Sequence, residues 1–235
     1  LDAGDIPGMY LAAVSANDQS GAAARMADYA KQAPVMELSV LADHSDVVIE
    51  CAPAAVFRDV AEAAVEKGRI FMPLSCGQML NHMDLVDRAK ETGARIVVPT
   101  GALLGLDAVR GAAEGEIESV TMVTRKPPSG LEGAPHLVEN NIDVRDLSEA
   151  LLVFDGSARE AVRGFPANVN VAVALSLAGI GPDRTTIQVW ADPGVTRNTH
   201  TIKVEADSVR FEMTIENVPS RENPRTGALT PLSTI

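Results

Sequence analysis

The stretch "DVVIECAPAAVFRDVAEAAVEKGRIFMP", residues 46–73, decides the fold. It opens on a continuous apolar, β-branched run, Asp46–Ala52, and closes on another, Gly68–Pro73. Uninterrupted runs of this kind predict strands buried on both faces. Between them Ala54–Lys67 has helical periodicity, and Gly68 stands where a helix stops. Strand, helix, strand at this spacing predicts a parallel sheet wound with helices. The pattern repeats on either side. "MYLAAV" (Met9–Val14) and "ARIVVPT" (Ala94–Thr100) predict further buried strands, and Gly21–Lys31 and His82–Thr92 predict helices, the second stopped by Gly93. In such sheets ligands collect at the carboxyl ends of the strands.

After about Leu106 the pattern changes. "IESVTMVTRK", "ALLVFDG", "TTIQVWAD", "HTIKVEA" and "SVRFEMTIENV" alternate apolar and polar residues with period two, as strands covered on one face do. Two helices interrupt them, "SAREAVRG" and "FPANVNVAVALSLAG". The second begins after Pro166, closes at Gly179, and sets Asn168, Ala172 and Leu175 along one side. The second half therefore reads as an α+β domain of mostly antiparallel strands. The chain shows no internal repeat and no low-complexity segment.

With 235 residues, 46% of them hydrophobic, the chain can fill one large core or two smaller ones. A net charge of −12 argues against nucleic acid or an anionic membrane as partner, because phosphates require a basic footprint. The longest apolar stretch, "VNVAVALSLAGIG", is too short to cross a bilayer. A small-molecule partner is expected. Cys51 and Cys76 are far apart and form no CxxC pair, which suits a reducing, cytoplasmic setting. His44, His82 and His136 have no acid or cysteine neighbours at metal-ligand spacing, so no metal is assigned.

Both ends read as cut. "LDAGDIPGMYLAAV" looks like the last turn of a helix, a loop and a strand, so a strand and most of a helix are expected to precede it. In a dinucleotide-binding βαβ unit that upstream piece carries the glycine-rich turn, and no GxGxxG occurs in this chain. "AGIGPDR" (Ala178–Arg184) follows a helix and reads as a helix stop.

The segments "TGALLGLDAV" (Thr100–Val109), "TRKPP" (Thr124–Pro128), "FPANVNVAVALSLAGIGPDRT" (Phe165–Thr185), "ADPGVTRNTHTIKVEA" (Ala191–Ala206) and "NPRTGALT" (Asn223–Thr230), in this order and spacing, resemble the L-aspartate dehydrogenase family. The resemblance spans the chain from Asp46 onward. It implies an α/β Rossmann-type dinucleotide-binding domain, here over residues 1–108 and without its first strand and glycine-rich turn, to which 221–235 returns. It also implies an α+β catalytic and dimerisation domain over 109–220, and hence a homodimer. The implied reaction is NAD(P)-dependent oxidative deamination of L-aspartate to iminoaspartate, which hydrolyses to oxaloacetate and ammonia or feeds quinolinate and NAD synthesis. The family's catalytic histidine falls on His200, and its cofactor-contacting positions fall on Ala102 and Asn168. Rival readings are another Rossmann reductase, related to homoserine dehydrogenase or dihydrodipicolinate reductase, and a catalytically silent cofactor-binding protein.

The residues admit that chemistry and also plainer roles. Taking a hydride from Cα requires the neutral amine, and so a group beside the nitrogen that exchanges protons near neutral pH; histidine suits this best. His200 shares a strand face with Ile202, Val204 and Ala206, where a satisfied core histidine is the alternative. Two substrate carboxylates call for cationic or amide donors: Arg125, Lys126, Arg163, Asn198 and Thr199 are the candidates, although a solvated surface group is the default reading of each. Asn168 suits a helix N-cap, and Ala102 a tight turn. After Val14 come Ser15, Ala16, Asn17 and Asp18, with no cation until Arg25, which leans towards NAD over NADP.

Overall fold

Helix Phe57–Glu66 shows how the first half is built. Phe57, Val60, Ala61, Ala64 and Val65 recur at helical spacing and are all buried, while Arg58, Asp59 and Glu62 face water. That apolar stripe lies against a three-stranded parallel sheet in the computed structural model, which describes residues 6–166, 170–221 and 226–235. The strands are β1 (Val47–Glu50), β2 (Ile70–Pro73) and β3 (Arg95–Ile96), in the order β1-β2-β3. Val48 pairs with Phe71 and Phe71 with Ile96. Phe57 meets Phe71 edge-to-face at 5.8 Å between ring centroids and lies parallel to the His82 ring at 5.7 Å. Val60, Met79 and Leu85 complete this core. Gly68 and Gly93 take φ of +66° and +76°, the left-handed conformation that ends a helix cheaply only at glycine.

One expected strand is absent. Met9–Val14 forms no strand; Val14 alone makes a parallel bridge, to Val35, and Tyr10 is 78% exposed. A strand needs a neighbour to accept its ladder, and among the described residues none lies beside Met9–Ala13. The helix expected over Gly21–Lys31 runs instead over Gln19–Met26, starting where Asp18 accepts the Gly21 N–H.

The second half forms a five-stranded sheet from β4 (Ile117–Lys126), β5 (Leu151–Ser157), β6 (Thr185–Ala191), β7 (Thr199–Ala206) and β8 (Arg210–Glu216). Their order is β5-β6-β4-β7-β8, with β4 and β6 parallel and every other pair antiparallel. All five period-two segments are thus strands of one sheet. Helices Leu106–Ala113, Ala158–Gly164 and Asn170–Ala178 pack together and on one face of it. Ile187, Val189, Val120, Met122, Ile202 and Val204 point into that layer and are buried. Helix Ala158–Gly164 begins with a capping box: Ser157 accepts from Glu160 N–H, and the Glu160 carboxylate accepts from Ser157 N–H.

By contacts the chain divides into two compact units, Leu1–Val98 with Ile235, and Pro99–Thr234. Of the tail, residues 226–234 fall in the second unit and Ile235 in the first.

Candidate active site

The polar groups converge where β4 ends and β7 begins. Register sets Thr124 opposite His200. Side chains alternate along a strand, so Thr124 and Lys126 of β4 share the helix-covered face with His200. All three are buried, His200 to 3% exposure and Lys126 to 5%. The Thr124 hydroxyl lies 3.1 Å from His200 Nδ1, a contact that holds the ring. Burial, and secondarily the Lys126 charge, push the His200 imidazolium down to about 3, so the ring is neutral at ordinary pH. Burial alone brings Lys126 down to about 8.

Beside this cluster opens a cavity of about 630 Å³, within the range of small-molecule sites. Its walls include Lys126, Phe165, Pro166, Arg197, Asn198 and Asn217. His200 is not itself among the lining residues; Asn198, which is, lies just before the strand that carries His200.

Of the residues singled out from sequence, Lys126 and Asn198 line the cavity. Arg125 does not. It points to the opposite face of the sheet, where its guanidinium stacks 4.8 Å over the Trp190 ring and donates to Asp192 Oδ2 at 2.9 Å. Arg163 is exposed in the last turn of its helix, and Thr199 alternates away from His200. Ala102 lies in the loop between Thr100 and Leu106, which is held by a hydrogen bond from Gly101 N–H to Ser233 Oγ at 3.1 Å, and is not part of the cavity wall. Asn168 lies outside the described residues. Cys76 is buried, its thiol pushed up to about 12 by burial, whereas Cys51 is exposed.

Two residues that the sequence reading passed over matter here. Asn217, directly after β8, lines the cavity while 4% exposed, and its backbone N–H donates to Asn198 O at 2.9 Å. The signal was present as a polar residue closing an apolar strand, "MTIEN", though nothing in the pattern distinguished it from a strand end. Glu50 closes β1 with a fully buried carboxylate, which accepts Ala52 N–H at 2.7 Å and Ser75 N–H at 3.1 Å. Burial raises its pKa against the pull of those hydrogen bonds. It ties together the loops that leave β1 and β2, at the sheet edge where dinucleotides bind. Those loops, "CAPAA" (51–55) and "LSCG" (74–77), are rich in small residues that let a ligand approach the backbone. This edge fits a nicotinamide dinucleotide.

The buried imidazole and ammonium leave a signature in stability. Between about 3, where His200 titrates in the fold, and its ordinary 6.5, the unfolded chain binds a proton that the folded chain does not. Stability therefore falls as pH drops through that window. Lys126 acts likewise between about 8 and 10.5, so its contribution rises as pH climbs through those values. Urea unfolding at a series of pH values is expected to show a flatter acid limb for His200→Gln than for the parent; identical limbs would mean that the ring titrates normally.

The family model described as aspartate dehydrogenase, C-terminal, matches residues 107–235, and that described as homoserine dehydrogenase, NAD binding domain, matches residues 3–99. The chain is 54% identical over 235 residues to an L-aspartate dehydrogenase of Bradyrhizobium diazoefficiens, covering 100% of this chain and 83% of that one. It is 54% identical over 226 residues to L-aspartate dehydrogenase 3 of Bordetella bronchiseptica, covering 96% of this chain and 83% of that one. Among solved structures, that of aspartate dehydrogenase from Thermotoga maritima superposes with a TM-score of 0.70 at 21% identity, over 88% of this chain and 90% of that one, a likeness of fold.

Proposed function

The chain belongs to the L-aspartate dehydrogenase family, and from that premise we propose how its residues carry the reaction. The activity is NAD(P)-dependent oxidative deamination of L-aspartate to iminoaspartate. The observation that carries our reading is the buried His200, held at Nδ1 by Thr124 and adjoining the Lys126 and Asn198 side of the cavity.

When bound, the nicotinamide supplies the hydride acceptor. The loops after β1 and β2, tied by Glu50, would hold the dinucleotide. Ala102 and Asn168 are the cofactor-contacting residues that the family resemblance implies. His200 enters the reaction neutral. A dicarboxylate arriving beside Lys126 offsets the smaller of the two effects that depress the imidazole, burial being the larger, and so raises its proton affinity. Nε2 then accepts a proton from the substrate ammonium, freeing the lone pair of the neutral amine to form the C=N bond as the hydride leaves Cα. The two protein-side requirements are a ring of fixed orientation and a site from which water is largely excluded, and burial meets both.

Three finer points belong to the same proposal. NAD is favoured over NADP, because Asp18 heads the helix after Val14 and the first cation, Arg25, turns back to donate to Gly21 O. The protein acts as a homodimer through the second unit, as the family resemblance implies. Its setting is the cytoplasm, where a free exposed Cys51 and a free buried Cys76 are at ease; no helix among the described residues is long and apolar enough to cross a membrane.

The test is the appearance of reduced nicotinamide when the protein meets L-aspartate, L-glutamate or L-homoserine with either cofactor. Turnover confined to aspartate, more efficient with NAD, is the expected result. Preferential oxidation of homoserine would put the function with the family matched by residues 3–99, and equal efficiency with NADP would remove the cofactor preference.

A further inference from the structure

Two polar residues of the cavity wall have chemistry that the proton transfer does not use. Lys126 ends β4 at 5% exposure, and Asn217 follows β8 at 4%. An amide is kept from water only where something else satisfies it. Asn217 is firmly placed: its N–H is bonded to Asn198 O at 2.9 Å, and Gly227 lies so near that a Cβ there would stand 3.0 Å from Asn217 Oδ1. Yet its Nδ2, buried, meets no acceptor among the described residues. A cation and an orphaned amide donor in one wall call for an anionic acceptor with more than one oxygen. A carboxylate has that form. Arg197 adds a second cation to the wall, and Glu132 is the acid that lines it.

We propose that Lys126 and Asn217 together hold one carboxylate of the substrate, Lys126 supplying the charge and Asn217 the oriented N–H. The proposal rests on the reading of this cavity as the substrate site, and names which of its groups recognise a dicarboxylic amino acid. Arg125, the better carboxylate fork by chemistry, is committed to Trp190 and Asp192 on the other face of the sheet. A carboxylate held by Lys126 also offsets the charge that acts on His200, so recognition and proton transfer are coupled.

The first test uses succinate, a dicarboxylate with no amine to oxidise, titrated calorimetrically into the full chain with cofactor present. Lys126→Met and Asn217→Asp are expected to weaken succinate binding by about 10- to 100-fold each, the span of a charge-assisted hydrogen bond. Asn217→Asp keeps the size of the residue and reverses its polarity, so its loss cannot come from a packing void. Lys126→Arg is expected to recover part of the affinity. Fluorescence of Trp190, the single tryptophan, and thermal melting establish that each variant is folded. In kinetics the expected mark is a matching rise in KM for L-aspartate with kcat changed only a few-fold. L-asparagine then locates the carboxylate: a falling ratio of kcat/KM for aspartate over asparagine assigns the side-chain group, and an equal fall for both assigns the α-carboxylate. Succinate affinity unchanged in folded Lys126→Met and Asn217→Asp overturns the proposal. Succinate binding that depends on these residues in a protein unable to oxidise aspartate would leave the site standing and remove the reaction assigned to it.

Discussion

Replacing His200 by alanine is expected to lower kcat for L-aspartate oxidation by about 10² to 10⁴, the usual contribution of a positioned acid or base. The imidazole is the side chain whose protonation is most finely set by its surroundings: fully enclosed, held at one nitrogen by Thr124, and kept neutral by burial and by Lys126. Its loss removes the group that relieves the amine of its proton, while KM, set by carboxylate recognition, moves much less. The substitution also leaves the Thr124 hydroxyl buried without its partner, which costs about 1–3 kcal/mol of stability. His200→Gln, closer in size, therefore accompanies it, and both are compared at temperatures well below their melting points. A second mark separates a proton-exchanging histidine from a structural one. The acid limb of the kcat profile is expected to reflect a pKa above that of the free protein, because bound substrate neutralises Lys126, and this limb disappears with the ring. Unchanged turnover in a folded His200→Ala protein would return the residue to the core.

The period of the hydrophobic pattern carried most of the fold. Asp46–Pro73 reads as strand, helix and strand because burial on both faces and a five-residue helical stripe leave few other solutions, and β1, β2 and helix Phe57–Glu66 are where that reading puts them. The five alternating segments became one sheet for the same reason. Met9–Val14 failed because propensity says that a segment suits a strand, and pairing decides whether it is one. His200 was singled out by the resemblance and by its place on an apolar face. Lys126 and Arg125 were not separable from sequence. They are adjacent cations, and only the pleat sends one into the cavity and the other onto Trp190. Asn217 was hidden for a related reason: its meaning comes from Asn198 and Gly227, remote in sequence, which fix it against the cavity. Glu50 looked like an ordinary strand end, whereas its carboxylate bridges two loops.

Phe165→Ala is expected to produce the largest loss of stability, about 3–5 kcal/mol, as for other buried phenylalanines truncated to alanine. The ring is fully buried and joins two others, with centroids 5.4 Å from His136 and 5.6 Å from Phe154, while His136 and Phe154 meet edge-to-face at 5.2 Å. The backbone cannot close over the void. Phe165 N–H is bonded to Ala161 O at 2.8 Å at the end of its helix, and Gly164 already has His136 so near that a Cβ there would stand 2.9 Å from it. At about 2–4 °C per kcal/mol for a chain of this size, the melting temperature should fall by roughly 6–20 °C. Because Phe165 also lines the cavity, beside Pro166, the void is expected to open into the site. Water entering there would solvate Lys126 and weaken its hold on a carboxylate, so KM should rise with the loss of stability, where Phe57→Ala in the first unit should lower stability alone. Phe165→Leu, which keeps most of the volume, is expected to restore the greater part of both. A melting temperature unchanged in Phe165→Ala would mean that the aromatic trio is loosely packed, and a fall in stability with KM untouched would separate the cavity wall from the core behind it.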